Sequence, residues 1–269
     1  MKPTLSIIGA GRVGCVLGRQ FHQDRIFTVC DILNRTMDSS LAACQFIAAG
    51  TATDAFAQLR PADIYMIAVP DDQIRACSMK LIDTGRIQPS TLVFHCSGAL
   101  TAAELGLNAN AASLHPMRSF ADPAQVAATF QKTIFSIEGD ATATGPLAEA
   151  LKRSGAEVVA IQSDHKPLYH AAAVFASNYL VTLMDAALIT FEAAGISGDL
   201  ARRLAEPMAQ ETFNNIFRLG PQRALTGPIA RGDVQTVLNH EDALKKWNPE
   251  LAILYRELAN ATRAMKSRL

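Results

Sequence analysis

The 269-residue sequence has no excess of charge of either sign. It carries 25 basic and 25 acidic side chains and has a pI near 7.0. When the chain is divided at residue 163, the first part has 13 basic and 14 acidic residues, and the second has 12 and 11. Nucleic-acid binding generally needs a basic domain or patch. The sequence therefore predicts no nucleic-acid partner.

The sequence also lacks paired cysteines and metal-ligand spacings. Its five cysteines are an odd number without a CxxC motif, and they lie at positions 15, 30, 44, 77 and 96. Such usage predicts reduced thiols in the cytoplasm and argues against a disulfide framework or a zinc site. The six histidines are scattered without HExxH, and no carboxylates are spaced like a cation cage, so no metal is expected.

Targeting signals are sparse as well. No basic region followed by an apolar run precedes the first strand-like segment, Thr4–Ile8, so we expect no signal peptide. The segment 170–194 is long enough to span a bilayer, but it contains Asn178, Asp185 and Glu192. A charge near the middle of a span costs roughly 2.5–3.5 kcal/mol. We therefore interpret this segment as a buried central helix, not as a membrane anchor. Because so apolar a helix cannot bury itself fully in one chain of this size, we predict a homodimer built on residues 170–194.

Strand and helix signals alternate up to about residue 163. The strand-like runs are LSII, IFTVCDI, DIYMIAVP, STLVFHCSG, ASLHP, TIFSIEG and AEVVAI. This βαβ alternation predicts an α/β domain over residues 1–163 with a doubly wound parallel sheet. Strand signals stop after Asp164, so residues 164–269 are predicted to form an all-α domain. That domain begins with one long helix over Pro167–Ala194 and contains a loop over residues 219–233.

A glycine motif follows the first predicted strand and opens a helix. It reads Gly9-Ala10-Gly11-Arg12-Val13-Gly14 and fits G-x-G-x-x-G. In this context the motif is typical of a Rossmann dinucleotide-binding domain. Gly9 would make the tight turn, Gly11 would let the backbone approach a pyrophosphate, and Gly14 would let helix and strand pack closely. The helix N-terminus would supply N–H donors to the phosphates.

The end of the second strand indicates which dinucleotide binds. An NAD site usually places Asp or Glu there to hold the ribose 2′-hydroxyl. This chain instead has Asn34-Arg35-Thr36, and a guanidinium can pair with a 2′-phosphate while its neighbours add hydrogen bonds. The competing residue, Asp31, lies before the expected strand end. The sequence therefore predicts NADP as the cofactor.

Two further loops should reach the same edge of the sheet. Ligands of such folds lie outside the carboxyl ends of the strands. Val69 and Pro70 end the strand-like run DIYMIAVP and are expected to line the crevice. Ser97 and Gly98 end the run STLVFHCSG and form a candidate loop on the nicotinamide side.

These pieces together resemble a known superfamily. The segments are IIGAGRVG, NRT, AVPDD, HCSGAL, SLHPMRSF, KPLYHAAAVFASNYL and ALTGPIARGDVQTVLNH. The N-terminal part resembles the 6-phosphogluconate dehydrogenase-like superfamily. The full set resembles a bacterial group that pairs a Rossmann-like domain with a helical C-terminal domain and has ketopantoate reductases among its relatives. The resemblance implies NADPH-dependent hydride transfer to a small carbonyl or imine, between the Rossmann domain and a helical dimerisation domain.

The resemblance also suggests catalytic residues. Ketoacid reductases of this superfamily carry a Lys followed by Asn four and eight residues later on the long helix. Here that spacing falls on His170, Val174 and Asn178, so only the last Asn matches. His170 could serve as the general acid near neutral pH, and Lys166, one turn earlier, is the alternative. Because the middle Asn is absent at Val174, a helix that only binds substrate is the alternative.

A further candidate is His115, which precedes a proline after a short strand. It could face the nicotinamide and the substrate, with Arg118 nearby as a clamp for a carboxylate. Asp233 follows a Gly-rich segment and is interpreted as a helix N-cap. Cys96 lies near the same edge, but nothing around it predicts a lowered pKa, so covalent catalysis is not expected.

These observations predict an NADPH-dependent reductase of a small 2-oxo acid, with ketopantoate as the best single substrate. An imine, a semialdehyde or a deazaflavin is the alternative substrate within the same enzyme class. A dinucleotide-binding sensor without turnover is an alternative of another class, and it is favoured by Val174 in place of Asn. A methyltransferase also has a glycine loop after its first strand, but Arg35 argues against it.

Overall fold

Eight strands form one sheet in the first part of the chain. In the computed structural model, which describes residues 2–131 and 133–266, they are β1 (Thr4–Ile8), β2 (Thr28–Leu33), β3 (Thr51–Thr53), β4 (Ile64–Ile67), β5 (Leu92–His95), β6 (Ala111–Pro116), β7 (Ile134–Gly139) and β8 (Glu157–Ala160). Their order across the sheet is β3-β2-β1-β4-β5-β6-β7-β8. Neighbouring strands are parallel except for the antiparallel pair β6–β7. The predicted doubly wound sheet is confirmed, with one strand direction reversed at β7.

Apolar residues cover both faces of this sheet because successive side chains point to opposite sides. Ile7 of β1 and Met66 of β4 belong to one core cluster, while their neighbours Ile8 and Ile67 belong to another. The helices that accompany the sheet are α1 (Arg12–Gln23), α2 (Met37–Ile47), α3 (Asp71–Asp83), α4 (Pro123–Ala128), α5 (Ala141–Arg153) and α6 (Lys166–Ala176). Continuous apolar runs such as IYMI are therefore strands buried on both faces.

Residues 178–266 are almost entirely helical, as predicted. The helices are α7 (Asn178–Ala193), α8 (Gly198–Leu219), α9 (Pro221–Ala224), α10 (Gly227–Arg231), α11 (Val234–Trp247) and α12 (Pro249–Lys266). The predicted loop over residues 219–233 contains the two short helices α9 and α10, each begun by a proline in its first turn. Asp233 caps α11, since its carboxylate accepts the Thr236 N–H at 3.1 Å.

The predicted long helix over Pro167–Ala194 is wrong at one position. Ser177 leaves the helical conformation, with φ −132° and ψ −71°, and separates α6 from α7. The chain divides into two compact units at this point, between Ser177 and Asn178, whereas the sequence placed the boundary at residue 163. Helix α6 belongs to the first unit because Lys166 at its start is buried and bonded to the sheet.

The segment around this break is exposed, not buried as the sequence suggested. Residues 163–193 are long and apolar enough to cross a membrane by length and composition alone, and the most apolar stretch has no buried residue. Leu168 is 74% exposed and Val181 is 72% exposed. The expectation of a buried central helix therefore fails within the single chain.

Asp31 has a structural role, and its carboxylate is therefore not available to bind the ribose of a cofactor. Its side chain is almost fully buried and accepts the Arg60 backbone N–H at 2.6 Å and the guanidinium Nε at 2.8 Å. These bonds attach the segment before β4 to β2.

Replacing Asp31 with Ala should lower the free energy of unfolding by about 1–3 kcal/mol, because the Arg60 N–H loses its acceptor. Urea denaturation would measure the change. Asp54→Ala, at an exposed bend, is the matched control and should stay within about 0.5 kcal/mol of the parent. Equal effects of the two substitutions would contradict this role of Asp31.

Candidate functional site

The loop between β1 and α1 contains three glycines. Two of them pack tightly against neighbouring atoms, and the third faces open space. Gly9 has a φ of +85°, and a Cβ there would lie 2.4 Å from Cγ1 of Val69. A Cβ on Gly14 would lie 2.8 Å from the carbonyl oxygen of Gly9, so α1 packs closely on the loop. A Cβ on Gly11 would meet no described atom within 4 Å. The space beside Gly11 is therefore free for a ligand.

The N-terminus of α1 presents backbone donors at this opening. Gly11 is the N-cap residue and receives no side-chain cap from the part of the chain that the structure describes, and both Gly11 and Arg12 are exposed. The Gly9 N–H donates to the Leu33 carbonyl at 2.8 Å, which fixes the loop to the end of β2. A helix N-terminus combines unpaired N–H groups with the positive end of the helix dipole. Ala10 and Val13 complete the loop, and its residues fit the pyrophosphate of a dinucleotide.

The turn after β2 presents one exposed cation. The Asn34 N–H donates to Oγ of Ser40 at 2.9 Å, and its side-chain amide donates to the Ser39 carbonyl at 2.9 Å. Thr36 caps α2, since its hydroxyl oxygen accepts the Ser39 N–H at 3.3 Å. Asn34 and Thr36 thus shape the turn, while Arg35 is exposed at its tip.

Val69 and Pro70 lie where the strand order changes direction. Both follow β4, which pairs with β1. Val69 packs against Gly9, and Pro70 is exposed at the start of α3. Ligands of doubly wound sheets bind in the crevice at this switch point, so both residues lie at the expected place beside the glycine loop.

The loop after β5 is held by its own polar side chains. His95 is fully buried, and its Nε2 lies 3.0 Å from the Thr101 carbonyl oxygen. Burial lowers the pKa of His95 to about 4, so the ring is neutral. The Ser97 hydroxyl accepts the N–H groups of Ala99 at 3.1 Å and Leu100 at 3.0 Å. Ser97 therefore has a loop-forming role here.

Gly98 lies against a group of three ring side chains that we call the His115 cluster: His115 at the end of β6, and Tyr169 and His170 on α6. Nδ1 of His115 is 2.7 Å from the Tyr169 hydroxyl oxygen, and the two imidazole centroids are 6.1 Å apart. A Cβ on Gly98 would lie 2.8 Å from atoms of both imidazoles. Burial, helped by His170 and Lys166, lowers the pKa of His115 to about 4. His115 is therefore a neutral proton donor or acceptor at neutral pH.

Lys166, one helical turn before Tyr169 and His170 on α6, forms a buried ion pair. Its Nζ lies 3.0 Å from Oε1 of Glu138 and also donates to the Ser113 hydroxyl, and the Lys166 side chain is only 1% exposed. Glu138 also accepts the Ala102 N–H and the Ser163 hydroxyl, each at 2.7 Å. Burial opposes ionisation of Glu138, but the bonds from Ser163 and Lys166 outweigh it and lower the pKa of that carboxyl. The Lys166 ammonium is thus engaged inside the protein.

Two other sequence candidates, Asn178 and Arg118, have surroundings of their own. Asn178 is exposed and begins α7 in the second unit, so the break at Ser177 removes the continuous helical spacing that related it to His170. Arg118 donates to the Thr129 carbonyl and hydroxyl, so its guanidinium is engaged by the chain itself. Tyr169 and Glu138 were missed by the sequence analysis. Their partners lie 54 and 28 positions away, where spacing along one helix gives no signal.

Cysteines and metal ligands add nothing to the site. Burial raises the pKa of Cys96 to about 12, which disfavours the nucleophilic thiolate. Among residues 2–131 and 133–266, no group of three His, Cys, Asp or Glu side chains could hold a metal ion.

Comparison with known families divides the chain similarly. Residues 2–112 match the Rossmann-like domain, and residues 133–262 match a domain of unknown function, DUF2520. The chain is thus similar to a different model in each part, and the second match begins immediately before β7. No curated protein matches the sequence.

Solved structures share the whole fold at low sequence identity. Protein TM1727 from Thermotoga maritima is 24% identical with a TM-score of 0.77, and 98% of each chain is covered. A candidate NADP oxidoreductase, BF3122 from Bacteroides fragilis, is 21% identical with a TM-score of 0.81 and the same coverage. An imine reductase from Myxococcus stipitatus in complex with NADP⁺ is 19% identical with a TM-score of 0.63, covering 99% of this chain and 93% of that one. These likenesses establish the fold.

Two glycine substitutions should separate folding from ligand binding. Gly9→Ala should lower the melting temperature, because its Cβ overlaps Val69 and its φ is positive. Gly11→Ala should melt like the parent but bind a dinucleotide more weakly, since its Cβ enters only the open space. Thermal denaturation and fluorescence titration with NADPH would measure both effects. Unchanged NADPH affinity in Gly11→Ala would contradict a pyrophosphate site beside this residue.

Proposed function

We propose that this chain is an NADP-dependent oxidoreductase that reduces the C=O or C=N bond of a small molecule. One observation carries the proposal: the open glycine loop after β1 and the His115 cluster at the end of β6 lie at the same carboxyl edge of parallel strands. The solved structures that share the fold include NADP-dependent reductases, which supports the same reading. Membership of the 6-phosphogluconate dehydrogenase-like superfamily is part of the proposal.

The cofactor would be held by residues of the first unit. The loop Gly9–Gly14 would bind the pyrophosphate, and Arg35, after β2, would pair with the 2′-phosphate. Val69, Pro70 and Gly98 would line the crevice on the other side of the loop, after β4 and β5. When bound, NADPH supplies a hydride for the carbon of the double bond. The chain must then deliver a proton to the oxygen or nitrogen.

The His115 cluster is the best source of that proton. His115 and His170 are partly exposed and face each other beside Gly98. Lys166, the alternative from sequence, is bonded to Glu138 and Ser113 inside the protein, so we assign it a supporting role. Asn178 is retained only as a candidate for substrate contact.

The substrate class is the finer part of the proposal. Ketopantoate remains the first 2-oxo acid to test. An imine is the second candidate, because two cations expected near the site, Lys166 and Arg118, are engaged by the chain and are not free to hold a substrate carboxylate. A sensor that binds NADP without turnover is the alternative from another class.

We also propose that the protein is a cytoplasmic homodimer. Among residues 178–266, the buried hydrophobic side chains are small and few: Ala201, Val237, Ala252 and Ala259. A helical unit with so little core is expected to bury apolar surface against a second copy. The exposed apolar side chains along residues 170–194 support that interface.

Absorbance at 340 nm would follow NADPH oxidation with ketopantoate, other 2-oxo acids and cyclic imines. We expect turnover with one of these classes and a loss of about 10²-fold or more in His115→Ala, since general acid catalysis contributes roughly 10²–10⁴-fold. His22→Ala is the control at a histidine outside the site and should retain full activity. Tight NADPH binding without turnover on any substrate would favour the sensor.

Comparing the affinities for NADPH and NADH tests the proposed contact between Arg35 and the 2′-phosphate. Arg35→Ala should weaken NADPH binding by about tenfold or more and leave NADH binding unchanged, because a hydrogen bond to a charged group contributes about 1.5–3 kcal/mol. Arg12→Ala, at the pyrophosphate end of the loop, should weaken both equally. Isothermal titration with each cofactor would decide, and an equal loss for both in Arg35→Ala would refute the 2′-phosphate assignment.

Light scattering at micromolar concentration tests the dimer. The parent protein should have twice the chain mass of 28.9 kDa. Val181→Lys should shift the population toward monomer, because it would place a charge in the apolar interface. Val234→Lys, at an exposed position of α11, should remain dimeric. A monomeric parent would defeat the proposal.

A further inference from the structure

Tyr169 is the one member of the His115 cluster that the proposed function leaves without a task. Its hydroxyl oxygen lies 2.7 Å from Nδ1 of His115, and the two rings meet edge to face at 88° with centroids 5.8 Å apart. The contact joins α6 to the carboxyl end of β6. A hydrogen bond to one imidazole nitrogen determines which nitrogen carries the proton, so this contact bears on the chemistry of His115.

The surroundings of Tyr169 indicate the direction of that bond. Burial raises the pKa of Tyr169, so the phenol keeps its proton, while a hydrogen bond with the side chain of Ser136 acts in the opposite direction. A phenol hydroxyl has a single proton to donate, and a neutral imidazole nitrogen is a stronger acceptor than a serine hydroxyl oxygen. Ser136 faces His115 in the β6–β7 register. The phenolic proton is therefore left for Nδ1 of His115.

The protonation state of His115 determines which ring nitrogen can donate a proton. The charged and titratable groups that act on it are His170 and Lys166 from α6, which lower its pKa, and Asp71 from α3, which raises it; burial dominates, and the pKa is about 4. At neutral pH the imidazole is thus uncharged with a single N–H. If Nδ1 accepts from Tyr169, that proton lies on Nε2.

Nε2 of His115 faces Gly98 across a gap that only glycine leaves open. A Cβ on Gly98 would lie 2.8 Å from Nε2 and from Cε1 of His115, and 2.8 Å from Cδ2 of His170. Gly98 follows β5, the neighbour of β6 at the carboxyl edge. A small substrate group lying beside Gly98 would meet the Nε2 proton.

We propose that Tyr169 is a positioning residue that holds His115 in the Nε2–H tautomer, so that a proton donor faces the space beside Gly98. This inference rests on the proposed reductase function. In the reducing direction, the Nε2 proton passes to the oxygen or nitrogen of the double bond. Nδ1 takes the phenolic proton of Tyr169 as Nε2 gives up its own. Solvent then supplies a proton to Nε2, and Nδ1 returns its proton to the phenolate, so both side chains end as they began.

The test compares two tyrosine–histidine pairs in one chain. Tyr169→Phe removes the hydroxyl that contacts His115. Tyr255→Phe is the matched control, because Nδ1 of His240 lies 2.9 Å from the Tyr255 hydroxyl oxygen in the second unit. Long-range ¹H–¹⁵N spectra of ¹⁵N-histidine protein report the tautomer of each ring at pH 7, with signals assigned by His115→Gln and His240→Gln.

We expect the parent His115 to be in the Nε2–H form and Tyr169→Phe to shift it toward a mixture of tautomers. With the substrate found active, kcat should fall at least about tenfold in Tyr169→Phe, within the range that general acid catalysis contributes, while the NADPH dissociation constant stays unchanged. Tyr255→Phe should alter only the His240 signals. Ser136→Ala, a smaller change at the same network, should shift the His115 signals in the same direction.

The spectra separate this inference from the proposed function. An Nδ1–H tautomer in the parent, or His115 signals unchanged in Tyr169→Phe, would overturn the positioning role even if the enzyme turns over. Altered His115 signals without turnover on any substrate would retain the tautomer assignment and refute the reductase. A fall in kcat with an unchanged tautomer would reduce Tyr169 to a packing role.

Discussion

A buried ion pair holds the helix of the candidate site on the sheet. The Lys166 ammonium and the Glu138 carboxylate lie 3.0 Å apart, and their side chains are only 1% and 3% exposed. Taking two charges out of water is costly, and removing one partner of such a pair typically costs about 3–5 kcal/mol. Here the cost is offset by further bonds from Ala102 and Ser163 to the carboxylate and from Lys166 to Ser113. Because Lys166 is the first residue of α6, this anchor fixes the position of the rings one turn later.

The two units of the chain distribute apolar burial very differently. In the first, strands with alternate side chains on opposite faces feed two extensive core clusters. In the second, the described residues bury only small apolar side chains, and large ones such as Val181 and Phe217 are exposed. Precise side-chain geometry is therefore supported by a packed interior in the sheet unit, where the His115 cluster lies. The helical unit offers extended apolar surface instead.

The sequence predicted the parts of the molecule that are local in the chain. The glycine loop is a contiguous strand–turn–helix unit. The motif over Gly9–Gly14 therefore predicted both the position of the loop and the close contacts that require glycine. The doubly wound sheet followed from alternating apolar runs. The His115 cluster could not be read in this way, since Tyr169 and His115 are 54 positions apart and meet only through the packing of α6 on β6.

Errors in the sequence analysis arose where one residue interrupts a regular pattern. A helical spacing across 170–178 presumes an unbroken helix, and no composition signal marks Ser177 as its end. Burial of Lys166 was equally hidden, because an isolated lysine at a helix start is normally solvated. Its partner lies 28 positions away on β7. Long-range polar pairs of this kind depend on topology, which the periodicity of a single segment does not encode.

The reversed direction of β7 limits how far the ligand-binding edge can extend. β1, β4, β5 and β6 run parallel and deliver their following loops to one side, whereas the chain leaves antiparallel β7 on the other. Strands in a sheet are spaced by about 4.8 Å, so the distance from the switch point to the last contributing strand is roughly three such spacings. Substrate choice within this architecture is therefore confined to short stretches after β5 and β6 and to α6, which follows β8 and places Tyr169 and His170 beside His115. Sequence changes in α5, which follows β7, can therefore accumulate with little effect on the ligand.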